Sequence, residues 1–182
     1  MRRIIMKKLA LAVVTVSTLL GSSVVMADTD SIYAGYARVK PQYDKALNGF
    51  TLGYQHEFMS GWGLMTNFTY AKGDRKETEE DASANIKYYS LMTGPSYRIN
   101  DYIGLYGQLG LAHIKAKGSA HYEDGYTEHF SQSKSALAWG AGIIVNPADN
   151  FAITAGYEGS HFSVDDDKVS TNGFNVTAGY RF

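Results

Sequence analysis

The sequence predicts an all-β chain: an eight-stranded antiparallel up-and-down transmembrane β-barrel. Three observations lead there. Eight segments of about eight to eleven residues alternate apolar with small or polar positions at period two. The connections between them alternate short and long, as periplasmic turns and extracellular loops do. The last segment, Gly173 to Phe182, sets Phe174, Val176, Ala178, Tyr180 and Phe182 on one face and Asn175, Thr177, Gly179 and Arg181 on the other. A closed membrane barrel gains from such an ending, because its last strand pairs with its first and its outward face meets lipid.

Residues 1–27 read as a cleaved secretory signal peptide. Arg2, Arg3, Lys7 and Lys8 precede an apolar run from Leu9 to Leu20, and Val25-Met26-Ala27 offers a cleavage point before Asp28. A start at Met1 or at Met6 leaves that signal intact. Residues 28–182 make one domain. The absence of cysteine excludes disulfides, zinc-thiolate sites and cysteine nucleophiles. Subtracting the four leader cations from a net charge of −1 leaves −5, with no basic stripe of the kind a nucleic-acid binder carries. After Ala27 no apolar run is long enough for a membrane helix, so the chain either spans as strands or is soluble.

The strands follow in order. Ile32, Ala34 and Tyr36 alternate with Tyr33, Gly35 and Ala37. Phe50, Leu52, Tyr54, His56 and Phe58 oppose Gly49, Thr51, Gly53, Gln55 and Glu57. Leu64, Thr66, Phe68 and Tyr70 oppose Met65, Asn67, Thr69 and Ala71. In the fourth, Tyr89, Leu91, Thr93, Pro95, Tyr97 and Ile99 face away from Tyr88, Ser90, Met92, Gly94, Ser96 and Arg98. In the fifth, Ile103, Leu105, Gly107, Leu109 and Leu111 oppose Gly104, Tyr106, Gln108, Gly110 and Ala112. Leu137, Trp139, Ala141, Ile143 and Val145 oppose Ala136, Ala138, Gly140, Gly142 and Ile144 in the sixth. Phe151, Ile153, Ala155 and Tyr157 oppose Ala152, Thr154, Gly156 and Glu158 in the seventh, and the terminal segment is the eighth.

A soluble lipocalin-like barrel would put the apolar set inside. Connection lengths and aromatic placement favour the membrane. The connections after strands two, four and six are short (Met59-Ser60-Gly61, Asn100-Asp101 and Asn146 to Asn150), whereas the others place loops at about 39–48, 72–86, 115–134 and 161–172. Aromatics such as Tyr36, Phe58, Trp62, Tyr70 and Trp139 sit near strand ends, where interfacial girdles form. Eight strands leave an interior that side chains can fill. Inward Glu57, Arg98 and Arg181 fall near the periplasmic ends, and buried charges persist only when paired. They are therefore expected to form a lumen network that plugs the barrel, with Tyr88, Tyr106, Gln108 and Glu158 higher up.

Several motifs resemble a known family. Tyr88 to Asn100 (YYSLMTGPSYRIN), Leu105-Tyr106-Gly107, Trp139-Gly140-Ala141-Gly142, Asn146-Pro147 and Gly179-Tyr180-Arg181-Phe182 are similar to the Ail/OmpX/PagC/Lom family of enterobacterial outer-membrane proteins. Lys72-Gly73-Asp74-Arg75, Tyr157-Glu158-Gly159-Ser160 and Asn172 to Val176 look especially like its PagC branch. The resemblance implies an eight-stranded barrel with strands projecting beyond the membrane. It also implies a virulence role in host-cell adhesion and invasion, in serum resistance through complement regulators, or in survival in macrophages. Tyr180 and Phe182 look like the C-terminal signal read by the barrel-assembly machinery, although Thr177 stands where that signal prefers glycine.

The loops would carry that role. Lys40 and Tyr43 in loop one, Lys72, Arg75 and Lys76 in loop two, and Tyr122 and Tyr126 in loop three are the candidate contacts. The basic residues suit lipopolysaccharide phosphates or acidic host polymers, and the aromatics suit a host extracellular-matrix or complement-regulatory protein. The chain is expected to be monomeric, with no cofactor, no metal site and no nucleic-acid partner. His121, Glu123, Asp124 and His129, and the triplet Asp165 to Asp167, lack zinc or calcium ligand spacing. The expectation is of no enzyme. The competing readings are a structural or stress-related barrel without a host ligand and, third, a lipid A-modifying hydrolase built on His161 and Ser163 with a carboxylate nearby, Glu158 or Asp165. Strand parity weakens the hydrolase, because Glu158 points inward.

Overall fold

The computed structural model describes residues 29–42, 45–58, 61–77, 82–121, 127–164 and 167–182. The leader at 1–27 lies outside the described residues. Eight strands follow one another: β1 (Thr29–Pro41), β2 (Leu47–Glu57), β3 (Trp62–Glu77), β4 (Ala82–Arg98), β5 (Ile103–His121), β6 (Thr127–Ala148), β7 (Phe151–Val164) and β8 (Asp167–Arg181). Each pairs antiparallel with the next, and β1 pairs with β8 from Ser31↔Arg181 to Pro41↔Thr171, so the sheet closes on itself. Closure removes every sheet edge, which is the condition for crossing hydrocarbon as strands.

The alternation read from the sequence is the alternation of the walls. Thr51, Met65, Asn67, Ser90, Met92, Gln108, Ala112 and Thr154 are buried inside. Leu91, Leu109, Leu111 and Leu137 face outward, Leu109 being 71% and Leu137 78% exposed. An outward band this apolar has lipid as its solvent. Large inward rings set the pattern of small residues opposite them. A Cβ on Gly156 would lie 2.1 Å from the Tyr106 hydroxyl, and one on Gly179 would lie 2.3 Å from Tyr33 Cδ1.

The turn end is held by short local devices. Asn100 Oδ1 accepts from the Tyr102 and Ile103 amides, both at 2.9 Å, an Asx turn. Gly61 has φ +81°, a conformation that favours glycine. Between Val145 and Ala148 the β6–β7 register shifts where Pro147 has no amide to give the ladder.

At the other end the strands differ from the sequence reading. Lys40 lies in β1 opposite Asn172, and Lys72 in β3 opposite Lys87. Arg75 and Lys76 also belong to β3, opposite Ala84 and Ser83. Strands β5 and β6 run for 19 and 22 residues, about twice the length a membrane strand requires. Most of the stretches assigned to loops two, three and four are thus strand. The reason is an inversion of polarity. Beyond the membrane band the interior holds Val39, Leu47, Tyr88 and Phe162 in a buried apolar cluster, with Ile86 and Ile114 packed against it. The outward neighbours at this level are Arg38, Lys40, Lys72, Lys87 and Lys115. Period two continues with its sign reversed, so the outward apolar pattern ends while the ladder does not.

Candidate functional site

Two surfaces and one interior carry chemistry. The interior begins at the turn end, where the side chains of Glu57, Arg98 and Arg181 come together. Arg98 Nη2 lies 2.7 Å from Glu57 Oε1, and Arg181 Nη2 lies 3.7 Å from Glu57 Oε2. Arg98 also reaches Asp101 Oδ1 at 3.5 Å in the turn. Strand parity aims all three inward, and Glu57 is 7% exposed. A mouth of about 310 Å³ lined by Arg98, Asp101, Asp149 and Arg181 leads to this layer. At the layer itself, between Ser31, Gln55, Glu57 and Asn146, the space shrinks to about 10 Å³.

Above it the lumen is bridged from wall to wall. Tyr33 Oη donates to Gln55 Oε1 at 2.6 Å, and Gln55 Nε2 to Ser96 Oγ at 3.1 Å. Asn67 Nδ2 donates to Gln108 Oε1 at 2.9 Å, while Gln108 Nε2 donates to the Met65 carbonyl at 2.8 Å. Higher still, Glu158 is 2% exposed and accepts from Thr69 Oγ1 at 3.2 Å and from Ser90 Oγ at 3.4 Å. Its partners among the described residues are hydroxyls rather than cations. Such groups are satisfied by one another and fix a single interior packing.

The outer surface at the long-strand end carries the second feature. In register, Lys72 on β3 stands opposite Lys87 on β4, which stands opposite Lys115 on β5. All three share the outward parity, so they form a row across three neighbouring strands, with strand spacing of about 4.8 Å. One outward step below them are Tyr70 and Tyr89, whose rings are 5.1 Å apart, and Phe50, 5.7 Å from Tyr70. A row of cations directly above an aromatic girdle sits where the headgroups of an outer leaflet lie. Asp74 interrupts the row at one side: Lys72 Nζ lies 3.1 Å from Asp74 Oδ2, and Asn85 Nδ2 donates to Asp74 Oδ1. The Lys72 ammonium and the Asn85 amide hold the Asp74 carboxyl below its ordinary range.

Sequence reading names Lys72 but not Lys87 or Lys115, because the row exists only through register; two lysines before strand four's Tyr88 and after strand five's Ile114 were the available signal. Lys40 is exposed on β1, away from the row. Tyr43, Tyr122 and Tyr126 lie outside the described residues. His161 is exposed while Glu158 is buried inside, so β7 sends the two to opposite sides of the wall. Tyr180 and Phe182 face outward with stacked rings 6.2 Å apart.

The third feature lies on the outer surface at the turn end and was missed from sequence. Asp30 Oδ1 accepts from Tyr54 Oη at 2.9 Å and lies 2.7 Å from His56 Nδ1. Asp30 precedes the first alternating residue, and only the Asp30↔His56 register brings the two together.

Comparison with known proteins agrees with this architecture. Residues 9–182 match the family described as an outer membrane protein beta-barrel domain. The chain is 35% identical over 189 residues to the virulence membrane protein PagC of Salmonella typhimurium, covering 97% of this chain and all of that one. It is 43% identical over 160 residues to the attachment invasion locus protein of Yersinia pseudotuberculosis, covering 84% of each. The crystal structure of Ail from Yersinia pestis in complex with the heparin analogue sucrose octasulfate superposes with a TM-score of 0.72 at 41% identity, over 86% of this chain and all of that one.

Proposed function

The chain belongs to the Ail/OmpX/PagC family of enterobacterial outer-membrane proteins, and from that premise we propose that it acts at the bacterial surface in virulence, through host-cell adhesion and invasion or through serum resistance. The observation that carries the proposal is the row Lys72–Lys87–Lys115 on strands that continue past the membrane. Three ammonium groups abreast suit a polymer with repeated phosphate or sulfate groups. Two sources present that chemistry: lipopolysaccharide in the same leaflet, and sulfated or otherwise acidic polymers on host cells. The relative solved with a heparin analogue supports the second source.

In this reading the barrel is a monomeric platform. The Glu57–Arg98–Arg181 layer and the hydrogen-bonded lumen above it support a platform rather than a pore. Outward Tyr180 and Phe182 on the closing strand support recognition by the barrel-assembly machinery. No catalytic role is assigned to His161 and Glu158, which the wall separates.

The test is expression in a rough, non-adherent host strain, scored for adherence to cultured cells and for survival in serum. The proposal expects a gain in at least one over cells carrying empty vector. Equal adherence and equal survival would leave the structural-barrel reading in its place. Adding free heparin or free lipopolysaccharide as competitor separates the two sources of anion.

A further inference from the structure

The described charges are sorted by side. Lys40, Lys45, Lys72, Lys87, Lys115, Lys117 and Lys134 all lie on the extracellular half. On the periplasmic rim the cations Arg98 and Arg181 turn inward to Glu57, and the charges left at the outside and in the turns are the acids Asp30, Asp101 and Asp149 beside His56.

Directly above Asp30, on the lipid-facing wall, the surface is concave. A groove of about 620 Å³ has Ala34 and Ala178 as its floor, with Ile32, Leu52, Phe151 and Tyr180 as its sides. The floor is low because Ala34 and Ala178 are register partners across the β1–β8 seam, where neighbouring pairs carry larger side chains such as Ile32↔Tyr180 and Tyr36↔Val176. The groove lies in the periplasmic half of the membrane, whose hydrocarbon is the acyl chains of inner-leaflet phospholipid. Its size is within the range of ligand clefts.

Asp30 stands one outward position below Ile32, at the depth of the headgroups. Its backbone is fixed by reciprocal bonds with Phe182, at 2.9 Å from its amide and 2.8 Å to its carbonyl. Both side-chain contacts among the described residues, from Tyr54 and His56, fall on Oδ1, which leaves Oδ2 to a further donor. We propose that this groove and the Asp30 carboxylate form a site for one inner-leaflet phospholipid bearing a primary ammonium headgroup, phosphatidylethanolamine in chemical class, with an acyl chain over Ala34 and Ala178 and the ammonium on Asp30. Charge complementarity selects that occupant. An anionic headgroup would meet Asp30 with no outward lysine beside it among the described residues to receive its phosphate, and a quaternary ammonium cannot donate the hydrogen bond that a carboxylate oxygen accepts. The site is independent of the extracellular lysine row.

The test is native mass spectrometry of the mature chain released from detergent, titrated with phosphatidylethanolamine, phosphatidylcholine and phosphatidylglycerol of identical acyl chains. The expected order of retention is ethanolamine over choline over glycerol, with an advantage of roughly fivefold for the first, the scale of one exposed charge pair. Asp30→Asn should erase the headgroup preference while keeping acyl binding. Ala178→Phe, which fills the floor, should weaken all three lipids alike. Heat-modifiable migration on gels verifies that each variant is folded, and Ala34→Leu serves if Ala178→Phe does not fold. Equal retention of the three headgroups, a preference for glycerol, or a preference unchanged in Asp30→Asn would overturn the proposal. So would a dimer in the same spectra that Ala178→Phe abolishes, since the groove would then seat a second copy.

Discussion

Arg98 reaches past β3 from its place on β4 to donate to Glu57 on β2, with 2.7 Å between Nη2 and Oε1. In this layer the Glu57 carboxylate faces two guanidinium groups, so removing it leaves Arg98 and Arg181 without their shared partner. Glu57→Gln is expected to lower unfolding free energy by about 1–3 kcal/mol, below the full cost of an unpaired buried ion because Arg98 is partly exposed. A double-mutant cycle with Arg98→Met, read by urea unfolding in lipid vesicles, should return a favourable coupling. A coupling near zero would mean that the layer is ornamental to stability.

The same layer predicts an electrical property. The space at Glu57 is about 10 Å³, room for about one water. Purified protein in planar bilayers is expected to give no stable single-channel conductance at neutral pH. Steady unitary steps in the unmodified chain would refute the closed interior.

Tyr106 and Gly156 yield a paired prediction. A Cβ at Gly156 would collide with the Tyr106 hydroxyl, which has no well-formed hydrogen bond among the described residues. Gly156→Val is expected to cost about 1–3 kcal/mol through overpacking. Tyr106→Phe should cost little, because the lost hydroxyl leaves no bond broken, and should rescue part of the Gly156→Val loss. Additive effects in the unfolding assay would show that the two side chains do not share that space.

Asp74 gives a prediction in pH. Its carboxyl is held below the ordinary value by Lys72 first, then by Asn85 and the more distant Lys87. A depressed folded value contributes stability above the unfolded pKa and loses it as pH falls through the folded one. Carboxyl NMR titration should therefore place the Asp74 midpoint below that of an unstructured aspartate, and Lys72→Met should move it upward. An unmoved midpoint would remove Lys72 as the cause.

Which of these features could be read from the chain depends on where the solvent changes. Within the membrane band, lipid outside and a packed lumen inside give every strand the same alternation. For that reason Glu57, Arg98, Arg181 and Glu158 are legible as inward from parity alone. Above the band the outer solvent is water, so Arg38-Val39-Lys40 and Ile114-Lys115 invert the pattern, and strand reads as loop. The lysine row and the Asp30–His56 contact depend on register between strands, which one strand's pattern does not state. Pairs such as Lys72↔Lys87 therefore become visible only when neighbouring strands are set in register.

The most direct test of the surface account is the triple variant Lys72→Gln, Lys87→Gln, Lys115→Gln in the rough host strain, matched to the unmodified protein for surface level and heat-modifiable folding. These side chains face outward and support no buried contact, so folding should persist. The account predicts that adherence or serum survival conferred by the unmodified protein falls by about tenfold, the scale of three exposed ionic contacts. Adherence and survival equal to those of the unmodified protein would contradict it.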